Sequence, residues 1–203
     1  MDLPEKEYLT VTDLSDPVII KTKGSRFIAQ VFHVTDATHA ENIVQTVKKK
    51  YHDATHNCYA YRIDRRIFRY SDDGEPSGTA GKPIYQNIEG RNLYQTLVVV
   101  TRYFGGIKLG TGGLIHTYNE AATAGLEATY VKRVTRTITT DLVISYDKIN
   151  QIENLIRKCH GTVIFSEYRE VIHLRISIPG MLFPEFQKAV APLVQMKEDQ
   201  SRA

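Results

Sequence analysis

Apolar, β-branched and aromatic residues dominate "SRFIAQVFHV" (Ser25 to Val34) and alternate in part, which predicts a strand. The spacing changes in "DATHAENIVQTVKKKY". Ala40, Val44, Val47 and Tyr51 recur at helical intervals, Thr38 and Glu41 form a candidate capping box, and Lys48, Lys49 and Lys50 suit a helix C-terminus. "THNCYAYRI" and "RIFRYS" read as a hairpin. A Gly/Pro/Ser/Asp loop, "SDDGEPSGTAGKP", follows, and a helix begins inside it. "LYQTLVVVTRYF" is apolar enough at its centre to be a strand buried on both faces. After a glycine loop, "LIHTYNEAATAGLEATYV" places Leu114, Tyr118, Ala121, Gly125 and Leu126 on one helical face.

The pattern resets near Val134. "RTITTDLVISY" reads as a strand. "DKINQIENLIRKCHG" reads as a helix with Asp147 as N-cap and Gly161 as its stop. "TVIFSEY" and "EVIHLRISIP" are strands, and "PEFQKAVAPLV" is a helix. The order β-α-β-β-α suggests a ferredoxin-like split β-α-β unit whose last strand, at "QMKEDQSRA", is weak or absent. Two domains are expected, residues 1–134 and 135–203.

Composition narrows the classes little. With 42% hydrophobic and 24% charged residues the chain suits a folded globular protein. A net charge of +3 is compatible with a nucleic-acid partner without pointing to one. "MDLPEKEYLT" lacks the basic and apolar regions of a secretory signal, and no apolar run approaches a membrane span, so a cytoplasmic location is expected. Cys58 and Cys159 lie outside any CxxC pattern and read as free thiols.

Three stretches carry candidate chemistry. "RYFGGIKLGTGG" joins a strand to a helix. Arg102, Gly105, Gly106, Lys108, Gly110, Gly112 and Gly113 are its candidate anion or nucleic-acid contacts, because free N–H groups at a helix start attract anions. Two phosphate motifs fail on spelling. Thr111 and Gly112 stand where a P-loop needs Lys and Ser/Thr, and Ile115 takes the last glycine of GxGxxG. A tight turn that lets helix and strand pack closely explains the glycines equally well. In the second stretch Asp72, Asp73, Glu75 and Ser77 could hold a magnesium ion, but capping of the next helix is the favoured reading; Ser77 also sits one place too late for a nucleophile elbow. Third, Arg62, Arg65, Arg66, Arg69 and Lys82 form a candidate basic patch with aromatic residues interleaved, a combination used to bind single-stranded RNA. Solvated arginines over an aromatic core are the plainer alternative. His52, His56 and Cys58 lack a convincing ligand spacing. No metal, cofactor or catalytic residue is assigned.

"KGSRFIA", "DATHNCYAYRI", "SDDGEPSGTAGKPI" and "VVVTRYFGGIKLGTGGL", in that order, resemble the YigZ/IMPACT family over roughly residues 8 to 130. The resemblance implies an α+β protein. Its N-terminal domain would be ribosomal protein S5 domain 2-like, and the smaller second one ferredoxin-like, similar to late domains of the translocating elongation factor. It also implies an association with translation control, eukaryotic members binding a protein that activates a stress kinase. The expectation is therefore a non-enzymatic regulator that binds RNA, the ribosome or a translation factor. The alternative is an enzyme acting on a phosphorylated or nucleotide substrate through the glycine loop and the Asp72–Ser77 loop.

Overall fold

The computed structural model of the chain describes residues 7–14 and 16–194. Two compact units form. One comprises Tyr8–Val134; the other comprises Glu7 and the residues from Thr135 on.

The first unit is built on a five-stranded antiparallel sheet. Its strands are β2 (Val18–Thr22), β3 (Ser25–His33), β4 (His56–Arg62), β5 (Phe68–Ser71) and β6 (Thr96–Tyr103), in the order β2-β3-β6-β4-β5. The apolar run of β6 takes the centre, as its composition predicts. Val98 and Val100 face one core with α2 (Gly81–Gly90) and α3 (Gly110–Glu127). Leu97 and Val99 face a second core against α1 (Ala37–Lys50). Strands β1 (Glu7–Val11) and β7 (Val131–Thr135) pair in a separate two-stranded sheet. The sequence pattern signals neither of these strands, nor β2. Strand β1 buries the adjacent Thr10 and Val11, and β7 buries none of its residues, so neither carries the alternation of a half-buried strand.

Helix α1 is capped differently from the expectation. Asp36, not Thr38, is the N-cap, and its Oδ1 accepts the His39 N–H at 2.8 Å. Starting two residues earlier still leaves Ala40, Val44 and Val47 inward.

The second unit has three antiparallel strands, β8 (Thr137–Ile144), β9 (Thr162–Tyr168) and β10 (Ile172–Pro179), in the order β8-β10-β9. Helices α4 (Ile149–Lys158) and α5 (Phe183–Val190) complete the core through Ile152, Ile156, Phe186 and Val190. Asp147 does not cap α4. It lies in a single 3₁₀ turn, Tyr146–Lys148, where Ser145 bonds its carboxylate. At the other end of α4 the left-handed residue is His160, with φ +51°, rather than Gly161. Gly161 packs closely instead: a Cβ there would lie 2.2 Å from Ile178 Cδ1, so that side chain would have to shift. The stretch "QMKEDQSRA", where a weak or absent final strand is expected, lies outside the described residues. No helix among the described residues is long and apolar enough to cross a membrane.

His33 ties β3 to β1. Its Nδ1 lies 2.9 Å from Thr10 Oγ1, and its backbone N–H donates to Asp13 Oδ1 at 2.7 Å. Burial lowers its pKa from 6.5, Lys132 and His39 add to that, and Asp13 and the Gln95 backbone oppose it. The unfolded chain therefore takes up this proton more readily. The stabilising contribution of neutral His33 is complete above about pH 6.5 and is lost as pH falls through and below that value. Urea midpoints measured from pH 7.5 to 5 should fall less steeply for His33→Gln than for the parent chain; parallel curves would contradict this.

Candidate functional site

The four sequence phrases converge at one end of the five-stranded sheet. Strand alternation puts Arg102 on the same face as Val98 and Val100, towards α2 and α3. Phe27 and His56 are its cross-strand partners on β3 and β4. Arg102 is only 5% exposed, and its Nη1 donates to Glu75 Oε1 at 2.6 Å. Glu75, 8% exposed, reaches in from the loop between β5 and α2. The same oxygen accepts the Tyr118 hydroxyl of α3 at 2.8 Å. The guanidinium packs over the rings of Phe27 and Phe104, 5.3 and 5.6 Å from their centroids. Its Nε is buried without a hydrogen-bond partner.

Cys58 and His56 border this ion pair. The Cys58 thiol lies 3.0 Å from the Asp72 carbonyl and 3.3 Å from Tyr118 Oη. Burial pushes both the Cys58 thiol and the Tyr118 hydroxyl far above their ordinary values, so both keep their protons. A thiol held protonated is a poor nucleophile. His56 Nδ1 lies 2.8 Å from the Asp73 carbonyl oxygen, which only accepts, so this nitrogen carries the hydrogen. Its Nε2 stands 3.9 Å from Glu75 Oε2.

The acidic loop is committed to its own architecture. The Asp72 carboxylate accepts from the backbone N–H groups of Gly78, Ala80 and Gly81 at 2.8–2.9 Å, which closes the loop onto the start of α2. Asp73 accepts the Asn57 N–H at 2.7 Å and pairs with Lys48 Nζ at 2.5 Å. Ser77 is exposed. Among the described residues no three His, Cys, Asp or Glu side chains group so as to hold a metal ion.

The glycines of "RYFGGIKLGTGG" do different jobs. Gly105 meets the β2–β3 turn so closely that a Cβ would lie 1.8 Å from the Gly24 carbonyl carbon, and its N–H donates to Ser25 Oγ at 3.1 Å. Gly106 and Gly110 have φ of +87° and +73°, which glycine adopts without strain. Gly112 faces open space, and Gly113 lies against Leu109. Helix α3 begins at Gly110 with no side-chain cap, leaving its first N–H groups without a side-chain partner. Lys108, Phe104 and Ile107 are exposed.

Two expectations need correction. Arg102 does not turn outward to an anion, because the strand alternation and Glu75 hold it inside. The arginines near the hairpin do not form one patch. Arg62 is buried, its guanidinium 4.2 Å from the Tyr94 ring centroid. Arg69 lies across the sheet beside Tyr61 and pairs with Glu41 of α1. Arg65, Arg66 and Lys82 are exposed, the first two in the β4–β5 turn and the third in α2. Sequence reasoning missed Tyr118 as a polar contact, although its inward helical position was visible.

A family model described as the Impact N-terminal domain matches residues 23–126, which contain the whole of this constellation. The IMPACT family member YigZ of Escherichia coli (strain K12) is 35% identical over 178 residues, 86% of this chain and 87% of its own length. The IMPACT family member YvyE of Bacillus subtilis (strain 168) is 36% identical over 196 residues, 95% and 89% of the two chains. A solved crystal structure described as that of a hypothetical protein is 32% identical with a TM-score of 0.65, covering 96% of this chain and 99% of that one.

Removing one partner of a buried ion pair leaves the other charge uncompensated, so Arg102→Met should cost about 3–5 kcal/mol. Adding Glu75→Leu should recover most of that loss in urea unfolding, and a double variant no better than the single one would contradict the arrangement. In the same assay Gly105→Ala should destabilise by about 2 kcal/mol or more. Gly112→Ala should be neutral or stabilise by about 0.5 kcal/mol.

Proposed function

The chain belongs to the IMPACT family, and from that membership we propose that it is a cytoplasmic, non-enzymatic, translation-associated regulator. It binds RNA, the ribosome or a translation factor through the surface built on the Phe104–Gly113 loop. One observation carries this reading. Arg102 and Tyr118 both donate to Glu75 Oε1 inside the fold, while the loop that follows β6 presents Lys108, two exposed apolar side chains and the open start of α3. A loop anchored at its start in this way is pre-organised for binding, which lowers the ordering cost on association.

The fold assignment belongs to the same proposal: a ribosomal protein S5 domain 2-like first unit and a ferredoxin-like second one. The strand order β8-β10-β9 with the element order β-α-β-β-α supports the latter. An enzyme acting on a phosphorylated or nucleotide substrate is the weaker reading. It asks for a carboxylate aimed at a bound anion or metal, whereas Asp72 and Asp73 accept backbone N–H groups and Glu75 holds Arg102.

The test is capture of partners from cell lysate by the full chain, with and without nuclease treatment. Ribosomal components or a translation factor should be recovered, and Lys108→Glu should reduce their recovery about tenfold. Absence of translation components from both samples, or recovery unchanged by Lys108→Glu, would overturn the proposal.

A further inference from the structure

The β2–β3 turn and the β6–α3 loop touch through their backbones at Gly24 and Gly105. Residues 21–26 and 104–113 together contain Lys21, Lys23, Arg26 and Lys108 and no Asp or Glu. All four cations are exposed. Lys21 and Arg26 stand directly opposite each other in the β2–β3 ladder, a like-charge pairing that costs stability. Arg26 lies over the Tyr103 ring, 4.5 Å from its centroid. Among the described residues no carboxylate forms an ion pair with Lys21, Lys23 or Lys108. Asp53 lies at the margin, where it accepts the Tyr103 hydroxyl at 2.7 Å. In the β6–α3 loop Phe104 is 47% exposed and Ile107 56%.

Such a surface calls for an anionic partner, and its apolar content decides which kind. Sequence-tolerant RNA binding relies on open aromatic faces that stack bases. Here Tyr103 and Phe104 each already carry a guanidinium over the ring, from Arg26 and Arg102. The most exposed apolar side chain of the loop, Ile107, is aliphatic and offers no stacking face. Aliphatic and aromatic contact area on a loop that touches a cationic turn fits a polypeptide instead. Its large apolar side chain supplies the buried contact, and its carboxylates set orientation and association rate.

We infer that the two loops form a docking surface for an acidic segment of another protein. An apolar side chain of that segment lies on Phe104 and Ile107, and its Asp and Glu residues face Lys21, Lys23, Arg26 and Lys108. This rests on the reading of the glycine loop as the binding surface and narrows its partner to protein.

The test uses the full chain and two probes: peptides selected from a displayed random library, and a fluorescent single-stranded RNA of mixed sequence. Selection should enrich Asp and Glu around Leu, Phe or Trp. By fluorescence anisotropy the selected peptides should weaken about tenfold with Lys23→Glu, with Lys108→Glu and with Ile107→Ser, and should weaken as salt rises. These side chains are exposed, and an unchanged urea midpoint verifies that each variant still folds. Enriched peptides without acidic residues, or binding indifferent to all three variants, would overturn the inference. RNA binding that depends on Lys108, without peptide binding, would overturn this inference and leave the loop as a binding surface. Failure of both probes together with an empty lysate capture would remove both.

Discussion

Placing a glutamate and an arginine beneath the end of a sheet is tolerable only if each compensates the other, because stripping water from a lone ion costs several kcal/mol. Glu75 and Arg102 meet that condition at 2.6 Å, with Tyr118 donating to the same carboxylate oxygen. Much of the surrounding geometry follows. The acidic loop must fold inward to deliver Glu75, and Asp72 makes that possible by gathering three backbone N–H groups. Helix α3 must run close enough for Tyr118 to reach, and Phe27 meets its ring edge-on at 5.1 Å. The pair therefore joins β6, α3 and the loop before α2, which are far apart along the chain.

A second constraint acts at the backbone. Gly105 and Gly24 approach so closely that neither position has room for a side chain without movement. This contact sets the β6–α3 loop against the β2–β3 turn and brings their cations into one neighbourhood. The start of the loop is fixed there as well by the Phe104 and Gly105 N–H groups, which donate to Thr55 Oγ1 and Ser25 Oγ.

Several features were open to sequence reasoning because they depend on short-range order. The buried run of β6, the inward stripe of α3 and the capping preference of the Asp72 loop all follow from composition and spacing within a few residues. The Asp72 carboxylate bonds the N–H groups of Gly78, Ala80 and Gly81, which accords with the turn-forming reading of that loop, while α2 itself has no side chain capping from its N-cap residue, Ala80. Other features were hidden. The α1 cap is Asp36 rather than Thr38; both residue types cap well, and the inward stripe Ala40, Val44 and Val47 fits either start. Strands β1 and β7 carry no alternating burial and acquire their identity from pairing with each other.

Arg102 separates the two kinds of information most sharply. Its alternation with Val98 and Val100 places it inward, and its charge argues for outward. Local sequence holds both tendencies and does not choose between them. Glu75, which decides the matter, lies 27 residues away and is itself polar enough to read as solvent-facing. The glycine loop behaves the same way, since the need for Gly105 lies in Gly24, on the far side of β3, α1, β4, β5, α2 and β6. Pattern and composition located most of the helices and strands, and four short phrases carried the family resemblance. Only the tertiary structure decided which charges are held inside and which stand exposed, because burial of a charge is settled by what packs against it, and that is a long-range property.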